Sequence, residues 1–127
     1  MQSDSTLAII GLGYVGLPLA IEFSKHYKVI GYDLNKNRIG ELKKSFDRTK
    51  EVNKDTLLNS KNITFTNQSE KISKATIFIV TVPTPIDKVN KPDFTAVKSS
   101  CETIAKYLKK GDLVIFESTV YPGATEE

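Results

Sequence analysis

The stretch Leu7-Ala-Ile-Ile-Gly-Leu-Gly-Tyr-Val-Gly16 decides the fold, because a short apolar run leads directly into a glycine pattern. The apolar run predicts a buried β-strand, and Gly11, Gly13 and Gly16 follow it at the spacing G-x-G-x-x-G. Residues 17–26 then predict a helix, in which Pro18 is tolerated because it falls in the first turn. A strand, a glycine turn and a helix in this order are typical of a dinucleotide-binding βαβ unit.

Each glycine of this pattern has a physical role in that setting. Gly11 permits the tight turn, Gly13 lets a pyrophosphate approach the backbone, and Gly16 lets the helix pack closely on the sheet. The free N–H groups at the helix N-terminus favour phosphate oxygens. The alternative is a glycine-rich turn that binds no ligand. The predicted cofactor-binding residues of the loop are Gly11, Leu12, Gly13, Tyr14, Val15 and Gly16.

The rest of the chain alternates predicted strands and helices. Apolar runs predict strands at 28–32, 75–82 and 113–116, with a weaker strand at 63–65. Helices are predicted for Asn35 to Phe46 and for Asp93 to Lys109, the second ended by Gly111, with a loop or short helix in 47–62. This order predicts the fold class α/β, a Rossmann-type doubly wound parallel sheet that is truncated after about five strands.

Asp33 follows the second predicted strand, about 20 residues beyond the glycine loop, where a carboxylate accepts hydrogen bonds from ribose hydroxyls. The 2′-phosphate of NADP would meet a like charge there, so the sequence favours NAD. Lys36 and Arg38 leave the alternative open, because a nearby cation can hold that phosphate. A second alternative is that Asp33 caps the following helix.

Two further loops are predicted at the carboxyl ends of strands, where open α/β sheets bind ligands. Val82-Pro83-Thr84-Pro85 is stiffened by its prolines and presents backbone groups and Thr84; otherwise it is a plain proline-rich turn. In residues 117–123, the hydroxyls of Ser118 and Thr119 either orient a nicotinamide or water, or cap the next helix.

Composition narrows the class of protein. The chain has 127 residues and a net charge of +3 from 18 basic and 15 acidic residues spread along its length, which argues against a nucleic-acid partner. No apolar run is long enough for a bilayer and no signal-peptide pattern is found, so we expect a cytoplasmic protein without a membrane partner. Cys101 lies in a predicted apolar helix stripe and His26 is the single histidine, so no metal site is predicted.

Four separated motifs together resemble one family, the UDP-glucose/GDP-mannose dehydrogenases. They are residues 10–18, Gly31-Tyr32-Asp33 with Arg38, residues 82–85, and Glu117-Ser-Thr-Val120, in the family's order and approximate spacing. Residues 87–93 and 119–127 look most like the branch that oxidises UDP-N-acetylhexosamines for Vi-type or capsular polysaccharides. Tyr121 stands where a UDP-glucose enzyme more often has a valine-proline-valine type of sequence.

The resemblance implies oxidation of the C6 alcohol of a UDP-sugar to a carboxylate with two NAD. It implies that the glycines hold the pyrophosphate, that Asp33 and Arg38 hold the adenosine end, and that Thr84 and Pro85 line the cofactor. Thr119 would lie near the nicotinamide and position the catalytic water, which makes it the one candidate catalytic residue. The family's cysteine, lysine and asparagine would lie beyond residue 127, and Cys101 is not that cysteine.

From these features we expect residues 1–127 to form an NAD-binding domain of a longer enzyme. We expect that enzyme to be a homodimer or larger assembly, with its sugar site mostly in another domain. On this interpretation the isolated fragment binds NAD weakly and oxidises no sugar. The alternatives are a UDP-glucose or GDP-mannose dehydrogenase, another dehydrogenase of the β-hydroxyacid type, and a non-catalytic nucleotide-sensing regulatory domain.

Overall fold

The computed structural model describes residues 5–13, 15–47, 52–81, 83–84, 95–117 and 119–120. The described strands are β1 (Thr6–Ile10), β2 (Lys28–Tyr32), β3 (Ile63–Thr66), β4 (Ile77–Val80), β5 (Pro83–Thr84), β6 (Leu113–Phe116) and β7 (Thr119–Val120). The described helices are α1 (Gly16–Ser24), α2 (Lys36–Lys43), α3 (Lys54–Asn59), a 3₁₀ helix (Ser69–Lys74) and α4 (Thr95–Ala105).

A five-stranded parallel sheet forms the centre of the domain, with the strand order β3-β2-β1-β4-β6. This is the order in which a doubly wound dinucleotide fold begins, because the chain moves outward from β1 first to one side and then to the other. The predicted Rossmann-type α/β class is confirmed. The carboxyl ends of β1 and β4 therefore lie side by side, with Ile10 opposite Val80.

Hydrophobic clusters cover both faces of the sheet. Alternate residues of β1 belong to different clusters: Leu7 and Ile9 pack on one face, and Ala8 and Ile10 pack on the other. The first cluster includes Leu17 of α1, and the second includes Ile104 of α4. Burial on both faces is the reason that the strands show continuous apolar runs in the sequence.

Helix α2 ends at Lys43, so the prediction that it reaches Phe46 is wrong. Ser45 has a φ of 62°, a left-handed conformation that stops the helix. Its N–H donates to the Leu42 carbonyl, and the N–H of Phe46 donates to the Glu41 carbonyl. These are the paired hydrogen bonds of a Schellman motif. Phe46 therefore lies beyond the end of the helix and is 53% exposed.

Helices α1 and α4 are also shorter than predicted. Helix α1 ends at Ser24, so His26 lies in the following turn. Helix α4 ends at Ala105, so the prediction that it reaches Lys109 is wrong, and Leu108 beyond its end is 46% exposed. Gly111, predicted to end this helix, instead has a φ of 94° in the turn that enters β6. Residues 93 and 94, at the predicted start of this helix, lie outside the described residues.

The described part of the chain contains neither a candidate membrane span nor a candidate metal cluster. None of the described helices has the length and apolarity that a membrane span requires. Among the same residues, no group of three or more histidine, cysteine, aspartate or glutamate side chains is placed to hold a metal ion.

Candidate functional site

A cleft of about 260 Å³ opens at the carboxyl ends of β1 and β2, where the fold predicts a dinucleotide. One wall is the glycine loop, a second is the end of β2, and the third is helix α4. The residues that line the cleft are Ile10, Gly11, Leu12, Gly13, Tyr32, Asp33, Leu34, Ser99, Ser100 and Thr103. The structure therefore brings the glycine loop and Asp33 together, as the sequence predicts.

The glycine loop turns sharply at Gly11, which has a φ of 99°. Its N–H donates to the Tyr32 carbonyl at 2.8 Å, so the turn is tied to the end of β2. A φ in this range favours glycine, because an L side chain at this position would be strained. The role predicted for Gly11, a tight turn after the first strand, is the geometry observed.

Gly16 begins α1 directly beneath this turn. A Cβ atom built on Gly16 would overlap the Gly11 carbonyl oxygen and the Thr81 hydroxyl, and it would come within 2.8 Å of the Gly11 carbonyl carbon. Neighbouring backbone cannot move aside as the end of a flexible side chain can. The predicted role of Gly16, close approach of the first helix, thus has a specific contact behind it.

Thr81, immediately after β4, is a loop-holding residue that sequence reasoning missed. Its hydroxyl is buried and lies 2.6 Å from the Gly11 carbonyl oxygen and 3.1 Å from that of Ile10. Because a hydroxyl carries one proton, these two carbonyls share one donor. The partners lie 70 and 71 residues away in the sequence, so no local pattern identifies this contact.

Asp33 holds the loop from the β2 side. One carboxylate oxygen accepts the Leu12 N–H at 2.9 Å, and the other accepts the Asn35 N–H at 2.9 Å. The alternative that Asp33 caps α2 is wrong, because the Asn35 side chain caps that helix by accepting from Asn37 and Arg38. Each carboxylate oxygen has a second lone pair for a ribose hydroxyl.

Arg38 holds the same residue of the loop, Leu12, through its carbonyl group. Its Nε donates to the Leu12 carbonyl at 2.7 Å, and its Nη1 forms an ion pair of 2.7 Å with Asp47. The N–H of Leu12 is thus held by Asp33 and its carbonyl by Arg38. A cleft of about 200 Å³ beside this clamp is lined by Leu12, Gly13, Asp33, Asn35 and Arg38. Contact between Arg38 and adenosine stays a prediction.

The wall formed by α4 supplies polar groups that sequence reasoning also missed. Ser99, Ser100 and Thr103 lie on successive turns of that helix and face the cleft. Across from them Leu34 is 68% exposed, an apolar side chain at the mouth of the cleft. The helical spacing 99, 103 identifies a polar face, but nothing in the sequence alone shows that this face meets the glycine loop.

Tyr32 closes the floor of the cleft and is almost completely buried. Burial raises the pKa of its hydroxyl above the ordinary value, and the neighbouring Asp33 and Tyr107 raise it further. The phenol is therefore neutral at physiological pH. It contributes an uncharged group to the lining of the cleft.

The two loops predicted at the strand ends lie next to each other. Strands β5 and β7 pair in parallel, with Pro83 opposite Thr119 and Thr84 opposite Val120. The motifs that follow β4 and β6 are thus joined by backbone hydrogen bonds at the carboxyl edge of the sheet. The predicted site residues that lie outside the described part of the chain are Tyr14, Val82, Pro85 and Ser118.

Gly13 offers a test that separates ligand binding from folding. A Cβ built there meets nothing within 4 Å, although Gly13 lines both clefts. We expect Gly13→Ala to leave the melting temperature unchanged and to weaken NAD binding about 10- to 100-fold. The added methyl group keeps the pyrophosphate from the backbone, and the loss corresponds to one charge-assisted hydrogen bond to a phosphate oxygen. Circular dichroism and calorimetric titration check the two parts. Unchanged NAD affinity would show that the pyrophosphate does not approach Gly13.

These features fit a dinucleotide. The space over Gly13 is open, the glycine turn is held rigid, and a carboxylate stands at the end of β2. Helix α1 begins beside the cleft at Gly16; the N–H of Leu17 is already bonded to the Gly13 carbonyl and Pro18 has none, so in the described first turn the N–H of Gly16 is the group available to a phosphate oxygen. Cys101, by contrast, is partly buried in α4 and does not line the cleft.

Comparison with known proteins gives the same assignment. Residues 5–127 match the model of the NAD binding domain of the UDP-glucose/GDP-mannose dehydrogenase family. The chain is 52% identical over 126 residues to UDP-N-acetyl-D-glucosamine 6-dehydrogenase from Pseudomonas aeruginosa, covering 99% of this chain and 30% of that protein. It is 50% identical over 121 residues to the enzyme of the same name from Salmonella typhi, covering 95% of this chain and 28% of that protein.

A solved structure resembles the fold closely. UDP-D-ManNAc dehydrogenase from Pyrococcus horikoshii superimposes with a TM-score of 0.83 at 32% identity, over 94% of this chain and 30% of that one. The chain thus spans about 30% of the length of the relatives that it matches.

Proposed function

Because the chain belongs to the UDP-glucose/GDP-mannose dehydrogenase family, we propose that it is the NAD-binding domain of a UDP-N-acetylhexosamine 6-dehydrogenase. The observation that carries the proposal is the cleft at the ends of β1 and β2. There a rigid glycine loop and Asp33 stand together as a dinucleotide requires. The proposed domain covers residues 1–127 of a longer cytoplasmic enzyme that functions as a homodimer or larger assembly.

The proposed reaction takes the C6 alcohol of the sugar to a uronic acid, for surface polysaccharide synthesis. It removes two hydrides in succession and takes one oxygen from water, and bound NAD supplies the hydride acceptor. In this scheme the glycine loop holds the pyrophosphate, Asp33 holds the adenosine ribose, and Thr119 is near the reacting centre. What supports this role of Thr119 is the parallel pairing of β7 with β5, in which Thr119 lies opposite Pro83, just beyond the ends of β4 and β6.

The N-acetylhexosamine class is favoured by the similarity of the sequences. The relatives that act on UDP-N-acetyl-D-glucosamine share half of their residues with this chain in the matched region. A purely regulatory nucleotide-sensing domain needs only the glycine loop and the acid. It does not require the second pair of strands, which joins residues 83–84 to residues 119–120.

The test of this proposal is a substrate comparison with the full-length gene product that contains these residues. NADH formation, followed by the absorbance of the reduced cofactor, is expected with UDP-N-acetylglucosamine, UDP-N-acetylgalactosamine or UDP-N-acetylmannosamine, at two NADH per sugar. UDP-glucose or GDP-mannose as the preferred substrate would overturn the sugar assignment. No NADH with any of these sugars would overturn the enzyme assignment and favour a regulatory domain.

A further inference from the structure

A buried ion pair lies directly behind the glycine loop. The side chains of Arg38 and Asp47 are 8% and 0% exposed, and Nη1 and Oδ1 are 2.7 Å apart. Asp47 comes after the end of α2, in a part of the chain where we predicted only a loop or short helix. Since a charge removed from water is costly, a carboxylate at this depth needs the cation that it faces.

Asp47 is fixed from both sides. Its second carboxylate oxygen accepts the Val52 N–H at 2.9 Å, which ties it to the segment that leads into α3. The carboxylate is thus a rigid support, and the guanidinium that it holds is equally fixed. Through the Nε of Arg38, this support reaches the carbonyl of Leu12 in the glycine loop.

The contacts of Arg38 leave it little freedom to bind a ligand. Nε is used by Leu12 and Nη1 by Asp47, both at 2.7 Å. Nη2 is buried and has no hydrogen-bond partner in the described structure. The guanidinium therefore lies beside the cleft that it shares with Asp33 and Gly13, but its donors are turned to protein atoms or enclosed.

We propose that Asp47 is a positioning residue that holds Arg38 against the glycine loop and so keeps its charge from a 2′-phosphate, which strengthens the preference for NAD over NADP. This inference rests on the proposed function, because it needs the cleft beside Asp33 to receive the adenosine ribose. It addresses the ambiguity left by the sequence, in which Lys36 and Arg38 are compatible with either cofactor; of the two, Arg38 lines a cleft beside Asp33 and Lys36 lines neither cleft. The charge of Arg38 is balanced by Asp47.

The charge balance predicts a change in cofactor preference when Asp47 is made neutral. Arg38 then keeps its positive charge next to the cleft without the compensating carboxylate. A 2′-phosphate gains from that charge, whereas the ribose hydroxyl of NAD does not. We expect Asp47→Asn to lower the ratio of the Kd for NADP to the Kd for NAD about tenfold. This is the effect expected when one uncompensated positive charge attracts the 2′-phosphate through partial solvent screening.

The measurement is calorimetric titration of the full-length gene product with NAD and with NADP. Asp47→Glu keeps the charge and is expected to keep the wild-type ratio. Asp55→Asn, an exposed aspartate in the first turn of α3, is the matched control and is expected to change nothing. If Asp47→Asn does not fold, Asp47→Ser is the second neutral variant, since a water can accept from Arg38 and Val52 in its place.

The double variant Arg38→Met/Asp47→Asn tests whether the effect passes through Arg38. With the cation gone, the ratio is expected to return at least to the wild-type value. A lowered ratio in the double variant would overturn the proposal. An unchanged ratio in Asp47→Asn would also overturn it, and a lower melting temperature in that variant would then show that the role of Asp47 is purely structural. Failure of the wild-type protein to bind NAD would instead contradict the proposed function itself.

Discussion

The variant Gly16→Ala is expected to lose NAD binding and at least ~3 kcal/mol of folding stability, the upper part of the range for overpacking a closely packed site. The added Cβ overlaps the Gly11 carbonyl oxygen and the Thr81 hydroxyl. Gly11 cannot retreat, because its N–H is bonded to Tyr32 and its φ of 99° already defines the turn. Helix α1 must therefore move away from the sheet, and the phosphate-binding edge moves with it.

Thermal unfolding followed by circular dichroism measures the loss, which for a domain of this size is about 10 °C or more in the melting temperature. Gly13→Ala is the matched control, since it adds the same methyl group to the same loop at a position with nothing within 4 Å. Its melting temperature is expected to equal that of the wild type. A Gly16→Ala protein with wild-type stability and NAD affinity would contradict the prediction, because it would show that the loop and helix α1 can accommodate the methyl group.

The second large effect is expected for Asp33→Asn, which removes the charge but keeps the size of the side chain. In the wild-type protein the carboxylate accepts hydrogen bonds from the N–H groups of Leu12 and Asn35. In the proposed complex it also accepts from the ribose hydroxyls. Hydrogen bonds to a charged group contribute about 1.5–3 kcal/mol each, so NAD affinity is expected to fall about 10- to 100-fold. NADP binding is expected to fall less, because its 2′-phosphate no longer meets a negative charge.

Titration of the variant with both cofactors measures these two changes. Asp112→Asn is the control, because Asp112 likewise accepts a backbone N–H, that of Lys109, but lies in the turn before β6 and does not line the cleft. It is expected to leave both affinities unchanged. Equal losses of NAD and NADP affinity in Asp33→Asn would mean that Asp33 supports the loop without selecting the cofactor.

The centre of the fold could be predicted well because two strong sequence signals coincide there. The apolar run of β1 is buried on both faces, so its pattern is continuous, and the glycine spacing follows it at once. Gly11 and Gly16 then play the predicted structural roles. Both roles are local requirements of the backbone that only glycine meets, so they can be recognised in the sequence.

The ends of the helices were predicted less well, for a physical reason. Helix α2 stops at a left-handed residue that is Ser45 instead of the glycine or asparagine that marks most such stops. Ile39, Leu42 and Phe46 have helical spacing, and only the first two are buried. The periodicity continued past the point at which the backbone hydrogen bonds ended the helix.

The supports of the site were not predictable because they join distant parts of the chain. Thr81 reaches the glycine loop across 70 residues, and Arg38 reaches Leu12 across 26. The family resemblance implied that Arg38 holds the adenosine end, which stays a prediction; the structure shows that two of its donors hold protein atoms. The sequence alone does not show whether a basic residue near a ligand site binds the ligand or supports the loop that binds it.

Calorimetric titration of the 127-residue chain with NAD and then with NADP tests most directly whether the cleft binds a dinucleotide. We expect weak but saturable binding of one NAD, weaker binding of NADP, and no NAD binding by Gly16→Ala. A folded wild-type chain that binds neither cofactor would contradict the assignment of the cleft between the glycine loop and Asp33 as a dinucleotide site.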